Sequence, residues 1–328
     1  MMKKEYNLKE IVNELAINIL KYPKTSKIKS YQLVTMLNEA PYGQKKILKN
    51  QLFEQLGFKV TDYEIGGSFE TITQDLLYFN DIGCTKINKI INGCPQILEL
   101  NRDNTIIPKM NFLKENGVKK EDLGKILEKF PKFPKYSIGY MNQRVQLLKN
   151  KRLNKTQIGR AIYNAPQLLK ANINSMKNRI KILSDFGVYH QKIPSTIAGY
   201  AMILVLDENK MRDRANQFLE FGYEKFEIGE MIQKHTAILA YDKEKNLKPT
   251  YYFLTEKFDC TKEVIGENPR ILSNSLQNKI IPRYIFLTKN NLHNKYETQT
   301  ILSRSDEDFC SMFKCELEEY QKLKKDLS

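Results

Sequence analysis

Five cations recur at one register of this 328-residue chain: Lys109, Arg144, Arg179, Arg214 and Arg283. The same register holds Asp75 and Thr250. Only 10 residues are Arg, against 43 Lys, yet four of the 10 fall in this one column. A Lys-rich composition explains many lysines but does not place arginines at a fixed interval. Arginine carries a permanent charge on a planar fork that grips phosphate with two hydrogen bonds at once. Repeated at the spacing of packed helices, about 10 Å, such forks would form a ribbon able to follow a nucleic-acid backbone. The alternative is a ladder of salt bridges to Glu and Asp on neighbouring units, against which stands the lack of an acidic column with the same period.

The chemistry implied is binding, not catalysis. No paired acids, Ser-His-Asp or Cys-His constellation is evident, so no enzyme is expected. Cysteines at 84, 94, 260, 310 and 315 make no CxxC pair, and the histidines at 190, 235 and 293 have no zinc spacing. No metal and no cofactor are expected, and the thiols read as reduced. Gly66-Gly67 lacks a phosphate-loop lysine. His235 ends an apolar segment and reads as structural; Tyr284 and Phe286 read as core rather than base-stacking groups.

The net charge of +15 favours a polyanion as partner. An anionic membrane surface would want the cations on one short amphipathic helix, and they are spread along the chain. No apolar run approaches 18 residues, so no membrane span is expected. The opening stretch "MMKKEYNLKEIVNEL" lacks a secretory apolar core, and its three glutamates do not suit a transit peptide.

What positions the cations is a repeat. The stretches "CPQIL" (94–98), "FPKF" (130–133), "APQLL" (165–169), "YAMIL" (200–204), "HTAIL" (235–239) and "NPRIL" (268–272) recur at 33 to 36 residues. Two apolar columns keep the period: Ile106, Met141, Met176, Met211, Leu247 and Ile280; and Leu113, Leu148, Leu183, Phe218, Leu254 and Leu287. Ser137, Asn172, Asp207 and Asp242 stand where an N-cap belongs. Gly83, Gly117, Gly187 and Gly222 stand where a helix ends. Each unit reads as helix A, a turn, helix B and a proline break. Pro108, Pro249 and Pro282 are expected early in helix A, where a missing N–H costs least. Pro95, Pro131, Pro166 and Pro269 are expected to end helix B.

The fold predicted is an all-α solenoid of about seven ~35-residue helix-turn-helix units, since a single unit cannot bury its own apolar face. Residues 1–65 form an N-terminal helical region, 66–315 the repeat array and 316–328 a capping helix.

The unit "IIPKMNFLKENGVKKEDLGKILEKFPKF" (106–133) resembles a repeat of the mitochondrial transcription termination factor (mTERF) family. So does "NPRILSNSLQNKIIPRYIFLTKNNL" (268–292), followed by "ILSRSDEDFCSMF" (301–313). The resemblance implies two helices and a short 3₁₀ turn per repeat, in a left-handed superhelix whose basic concave face holds duplex DNA or RNA. It further implies a monomer acting in transcription termination, initiation or organelle gene expression, with duplex DNA favoured over RNA, in a mitochondrion or other organelle. Lys109, Arg144, Arg179, Arg214 and Arg283 would be the backbone-contacting set. The competing expectation is a helical-repeat scaffold that holds a protein in its groove.

Overall fold

The computed structural model describes residues 8–21, 27–57, 68–292 and 296–327. His293, Gly66, Gly67 and the expected boundary at 65 lie outside them. Every regular element among the described residues is a helix. The chain divides into two compact units, Met1–Ala171 and Asn172–Ser328. The boundary falls inside the expected array, between its third and fourth repeats.

In the first unit, helices Leu8–Lys21, Lys27–Asn38 and Tyr42–Gln55 pack together, and the second of them also packs on helix A of repeat 1. Repeat 1 has helix A at Phe69–Asp81, helix B at Ile87–Gly93 and a 3₁₀ segment at Pro95–Glu99. Repeat 2 places helix B at Leu123–Lys129 and its 3₁₀ turn at Phe133–Lys135. Repeat 3 runs Ile138–Asn150, Lys155–Asn164 and Pro166–Lys170. In the second unit, repeat 4 is Ile173–Asp185, Ile193–Gly199 and Ala201–Leu204, and repeat 5 is Glu208–Glu220, Lys225–Lys234 and Thr236–Ala240. Helix B of repeat 6 is Lys262–Glu267, with its 3₁₀ segment at Pro269–Ser273; helix B of repeat 7 is Thr298–Ser303. Helices Asp306–Phe313 and Leu317–Asp326 follow, the latter packing Tyr320 against Phe309 and helix A of repeat 7.

The local signals work as their chemistry requires. The side chains of Ser137, Asn172, Asp207 and Asp242 each accept a backbone N–H of the first turn. Gly83, Gly117, Gly187 and Gly222 adopt positive φ just past helix A, and the next residue donates back into the helix, as Val118 does to Leu113. Both apolar columns are buried along their whole length. The 3₁₀ segment forms with or without its proline. Ala201 and Thr236 open theirs because Tyr200 and His235 hold the same extended backbone (φ −145° and −150°) as Ala165 before Pro166 (φ −138°).

The helix A prolines do not sit at a helix start. In repeats 2, 6 and 7, helix A opens with a π turn, at Arg102–Ile106, Lys243–Leu247 and Leu276–Ile280, and continues as α-helix over Ile107–Glu115, Lys248–Lys257 and Ile281–Lys289. Pro108, Pro249 and Pro282 therefore lie in the second turn. In an α-helix their rings would strike the carbonyl four residues back. Here the preceding residues, Ile107, Lys248 and Ile281, donate five residues back instead, to Arg102, Lys243 and Leu276. The widened turn holds one extra residue. Sequence counting agrees: the cation register lies eight residues after the N-cap in these repeats (Asn101 to Lys109, Asp242 to Thr250, Ser275 to Arg283). It lies seven after it in repeats 3 to 5, which have no such proline.

Three pairs of successive repeats, 1 with 2, 2 with 3 and 4 with 5, meet glycine to glycine. A Cβ placed on Gly159 in helix B of repeat 3 would lie 1.9 Å from the Gly117 carbonyl oxygen that ends helix A of repeat 2. Gly229 meets Gly187 in the same way, with the Gly187 carbonyl 2.1 Å from its Cβ position. Gly124 meets Gly83, and its N–H donates to Ile82 O at 2.9 Å.

Candidate nucleic-acid interface

The expected ribbon of outward-facing guanidinium groups is not what the cation column builds. Each cation turns inward: the first four donate to carbonyls in or just after the 3₁₀ segment that closes their own repeat, and Arg283 to carbonyls at the end of helix B of repeat 7. Arg144 donates from Nε to Ala171 O at 2.9 Å and from Nη1 to Tyr140 O at 2.8 Å, with its guanidinium 3.4 Å over the Tyr140 ring. Arg179 reaches Leu206 O at 2.5 Å and Leu204 O at 3.2 Å, and Arg214 reaches Leu239 O at 3.2 Å. Lys109 donates to Pro134 O, and burial holds its ammonium pKa below the usual lysine range. Arg283 is fully buried and donates to the carbonyls of Ile301, Arg304 and Ser305 and to Asp306 at 2.8 Å.

The physical reason is the helix end. The last carbonyls of a helical segment have no N–H within it and carry partial negative charge, which attracts a cation. A donor on helix A that lies 25 to 27 residues upstream meets them when helix B folds back. The register thus closes a repeat, a structural role for these five residues that the ribbon expectation did not include. Arg144 and Arg283 are buried, while Lys109, Arg179 and Arg214 are half-buried.

The two exceptions obey the same logic. Thr250 is buried with its hydroxyl unpartnered, so repeat 6 has no cationic clamp from this register. Repeat 1 inverts the charges: Asp75 occupies the register and Arg102 approaches it from 27 residues downstream, at 3.8 Å. Burial outweighs that arginine and pushes the Asp75 carboxyl up to about 7. In the unfolded chain the same carboxyl ionises near 3.8. Between those values the folded state holds a proton that the unfolded state has lost, so this group's contribution to stability declines as pH rises from about 4 to 7. Asp75→Asn should remove that decline. The melting-temperature advantage of the variant over the parent should widen from pH 5 to pH 8; a constant difference would show that Asp75 does not titrate there.

The exposed cations lie elsewhere. Between Glu128 and Asp185 stand thirteen Lys and Arg residues and not one carboxylate, which accounts for nearly all of the net +15. Repeat 3 sits wholly inside this stretch. At the corner between its helices A and B, Lys149, Arg152 and Lys155 are exposed and Lys151 is half-exposed. Lys155 opens helix B, and exposed Lys120 and Lys86 occupy the corresponding turns of repeats 2 and 1. Helices B of repeats 1, 2 and 3 pack in succession, so this corner forms one edge of the first unit. A cation at a helix N-terminus works against the helix dipole, so helix stability does not account for this row. At the opposite end of repeat 3, Lys132, Lys135 and Lys170 are also exposed. There Lys135 donates to Gln96 at 3.3 Å, and Lys170 lies 5.6 Å over Phe130. The corresponding corners of the neighbouring repeats carry carboxylates, Asp81 in repeat 1, Glu115 and Glu121 in repeat 2, Asp185 in repeat 4, and Glu220 and Glu224 in repeat 5, so the acid-free corner is that of repeat 3.

A model of the mTERF family matches residues 76–140 and 135–310. The chain is a member of the mTERF family. No curated protein sequence matches it. The family match runs from within helix A of repeat 1 through repeat 7 of the mTERF chain and into the helix Asp306–Phe313, and it includes both the inward cation column and the basic corner.

Among the described residues no group of His, Cys, Asp and Glu is arranged to hold a metal, and no helix is long and apolar enough to cross a membrane. The five cysteines are free thiols. His235 contacts the Tyr241 hydroxyl at 2.5 Å, and burial lowers its pKa. Tyr284 and Phe286 lie in aromatic clusters with Phe253, Phe258 and Phe309.

Proposed function

We propose that this mTERF-family chain binds nucleic acid, duplex DNA in preference to RNA, as a monomer, and acts in transcription termination, initiation or a related step of organelle gene expression. The observation that carries this reading is the acid-free stretch from 129 to 184, whose cations gather at repeat 3. A polyanion gains from such a surface by releasing its condensed counterions. The family supports the choice of nucleic acid over other polyanions, and the lack of catalytic constellations supports binding without chemistry.

The test is fluorescence anisotropy with a labelled duplex of 20 to 30 base pairs across a salt series. Four corner cations predict a log–log slope of about −3 to −4, at roughly −0.9 per phosphate contact. Duplex RNA and single strands of the same sequence give the ranking. A flat salt dependence for all of them would overturn the proposal.

A second reading, a scaffold for a protein partner, draws on exposed aromatic groups of the second unit, Tyr189, Phe226 and Tyr252. It predicts a complex that survives nuclease treatment and is lost in a Phe226→Ser variant.

A further inference from the structure

Seven residues occupy the position just after helix A: Gly83, Gly117, Arg152, Gly187, Gly222, Asp259 and Asn291. All seven have positive φ, from 49° to 92°. Glycine adopts that conformation freely, and Asn and Asp tolerate it because their short polar side chains bond locally. Arginine has neither advantage. Its Cβ meets the following carbonyl, a strain that glycine at the same site avoids. Yet Arg152 makes the same turn as the glycines, its N–H donating to Lys149 O at 2.8 Å and Leu153 N–H to Leu148 O at 3.1 Å. The fold therefore asks for glycine here and holds an exposed arginine. That arginine stands in the one corner of repeats 2 to 6 that has no carboxylate, between Lys149 and Lys155.

We infer that Arg152 is a phosphate-binding residue kept at the expense of backbone strain, and that nucleic acid crosses the first unit along the edge marked by Lys86, Lys120, Lys149, Arg152 and Lys155. This rests on the nucleic-acid reading above and adds which edge makes the contact. The left-handed turn projects the Arg152 side chain from the tip of the corner, where helix A has ended and helix B has not begun. Its guanidinium can then meet a phosphate with two hydrogen bonds. The flanking lysines supply charge without that geometric demand.

The experiment compares Arg152→Gly, Arg152→Lys and a triple variant of the opposite end, Lys132→Gln/Lys135→Gln/Lys170→Gln, in the full chain. Arg152→Gly should melt about 2 °C higher than the parent, since the strain is relieved. It should also bind the same duplex roughly tenfold more weakly at low salt, with the salt slope flatter by about 0.9. Arg152→Lys should keep the slope and gain no melting temperature. The triple variant should bind within about twofold of the parent with the same salt slope, since charges that make no contact act only through a screened field. If Arg152→Gly binds like the parent while the triple variant loses affinity and slope, the edge assignment fails and the nucleic-acid function stands. If the parent chain binds no nucleic acid, both fail. If Arg152→Gly binds weakly but melts no higher, strain at this position is refuted.

Discussion

Arg283→Met will lower the stability of the second unit by roughly 3–5 kcal/mol, the cost of removing one partner from a buried ion pair. No other large polar side chain in the described structure is so completely enclosed. Its guanidinium binds three carbonyls and Asp306, and lies 4.7 Å over the Phe309 ring. Methionine keeps most of the volume but leaves those acceptors without a donor. Lys324 contacts Asp306 at 2.6 Å and can retain that carboxylate, but it does not reach the carbonyls of Ile301 and Arg304. Arg283→Lys is therefore expected to recover only part of the loss, since one ammonium cannot span the four acceptors. Chemical denaturation with far-UV circular dichroism measures the effect. The same variant separates structure from binding: at temperatures where it is folded, its salt slope on duplex DNA should equal the parent's. A slope flatter by one contact would return Arg283 to the ligand-facing role that its place in the sequence first suggested.

Gly159→Ala is expected to destabilise the first unit by about 1–3 kcal/mol, although alanine is the better helix former by about 1 kcal/mol. The new methyl would lie 1.9 Å from Gly117 O and 2.1 Å from Gly117 C. Both are backbone atoms, so no rotamer change can make room, and helix B of repeat 3 must back away from helix A of repeat 2. Gly139→Ala is the control. It lies in the first turn of helix A of the same repeat, with nothing within 4 Å of its Cβ position, and should be neutral or slightly stabilising. If the two alanine variants melt alike, the glycine contact does not set the distance between repeats.

The fold was open to reading because its signals are local. N-cap side chains, left-handed glycines and apolar columns act within one repeat, and each recurs often enough for one copy to confirm the next. The site was harder to read. The cation column stands out in sequence for the same reason that the apolar columns do: it belongs to the framework. A carbonyl leaves no mark in a side-chain sequence, so the partners of Arg144 and Arg179 could not be seen, and their charge suggested a ligand outside the protein. Two signals were nevertheless present. The stretch without Asp or Glu from 129 to 184 marks where the exposed charge gathers, and Arg152 breaks a column of glycines. The π turns were also recorded, as a register position eight rather than seven residues after the N-cap wherever helix A contains proline.

The inward clamp bears on how the chain folds. Arg144, Arg179 and Arg214 each join residues 25 to 27 apart, whereas the glycine contacts join residues 41 or 42 apart. A repeat can thus close on itself through a short loop before its neighbour arrives, and short loops close quickly. The longer glycine contacts then couple one closed repeat to the next. Repeat 6, where Thr250 replaces the cation, lacks this early closure and must take its order from repeats 5 and 7. Its amides should exchange with solvent sooner than those of repeats 3 to 5, which makes it the natural place for the array to open.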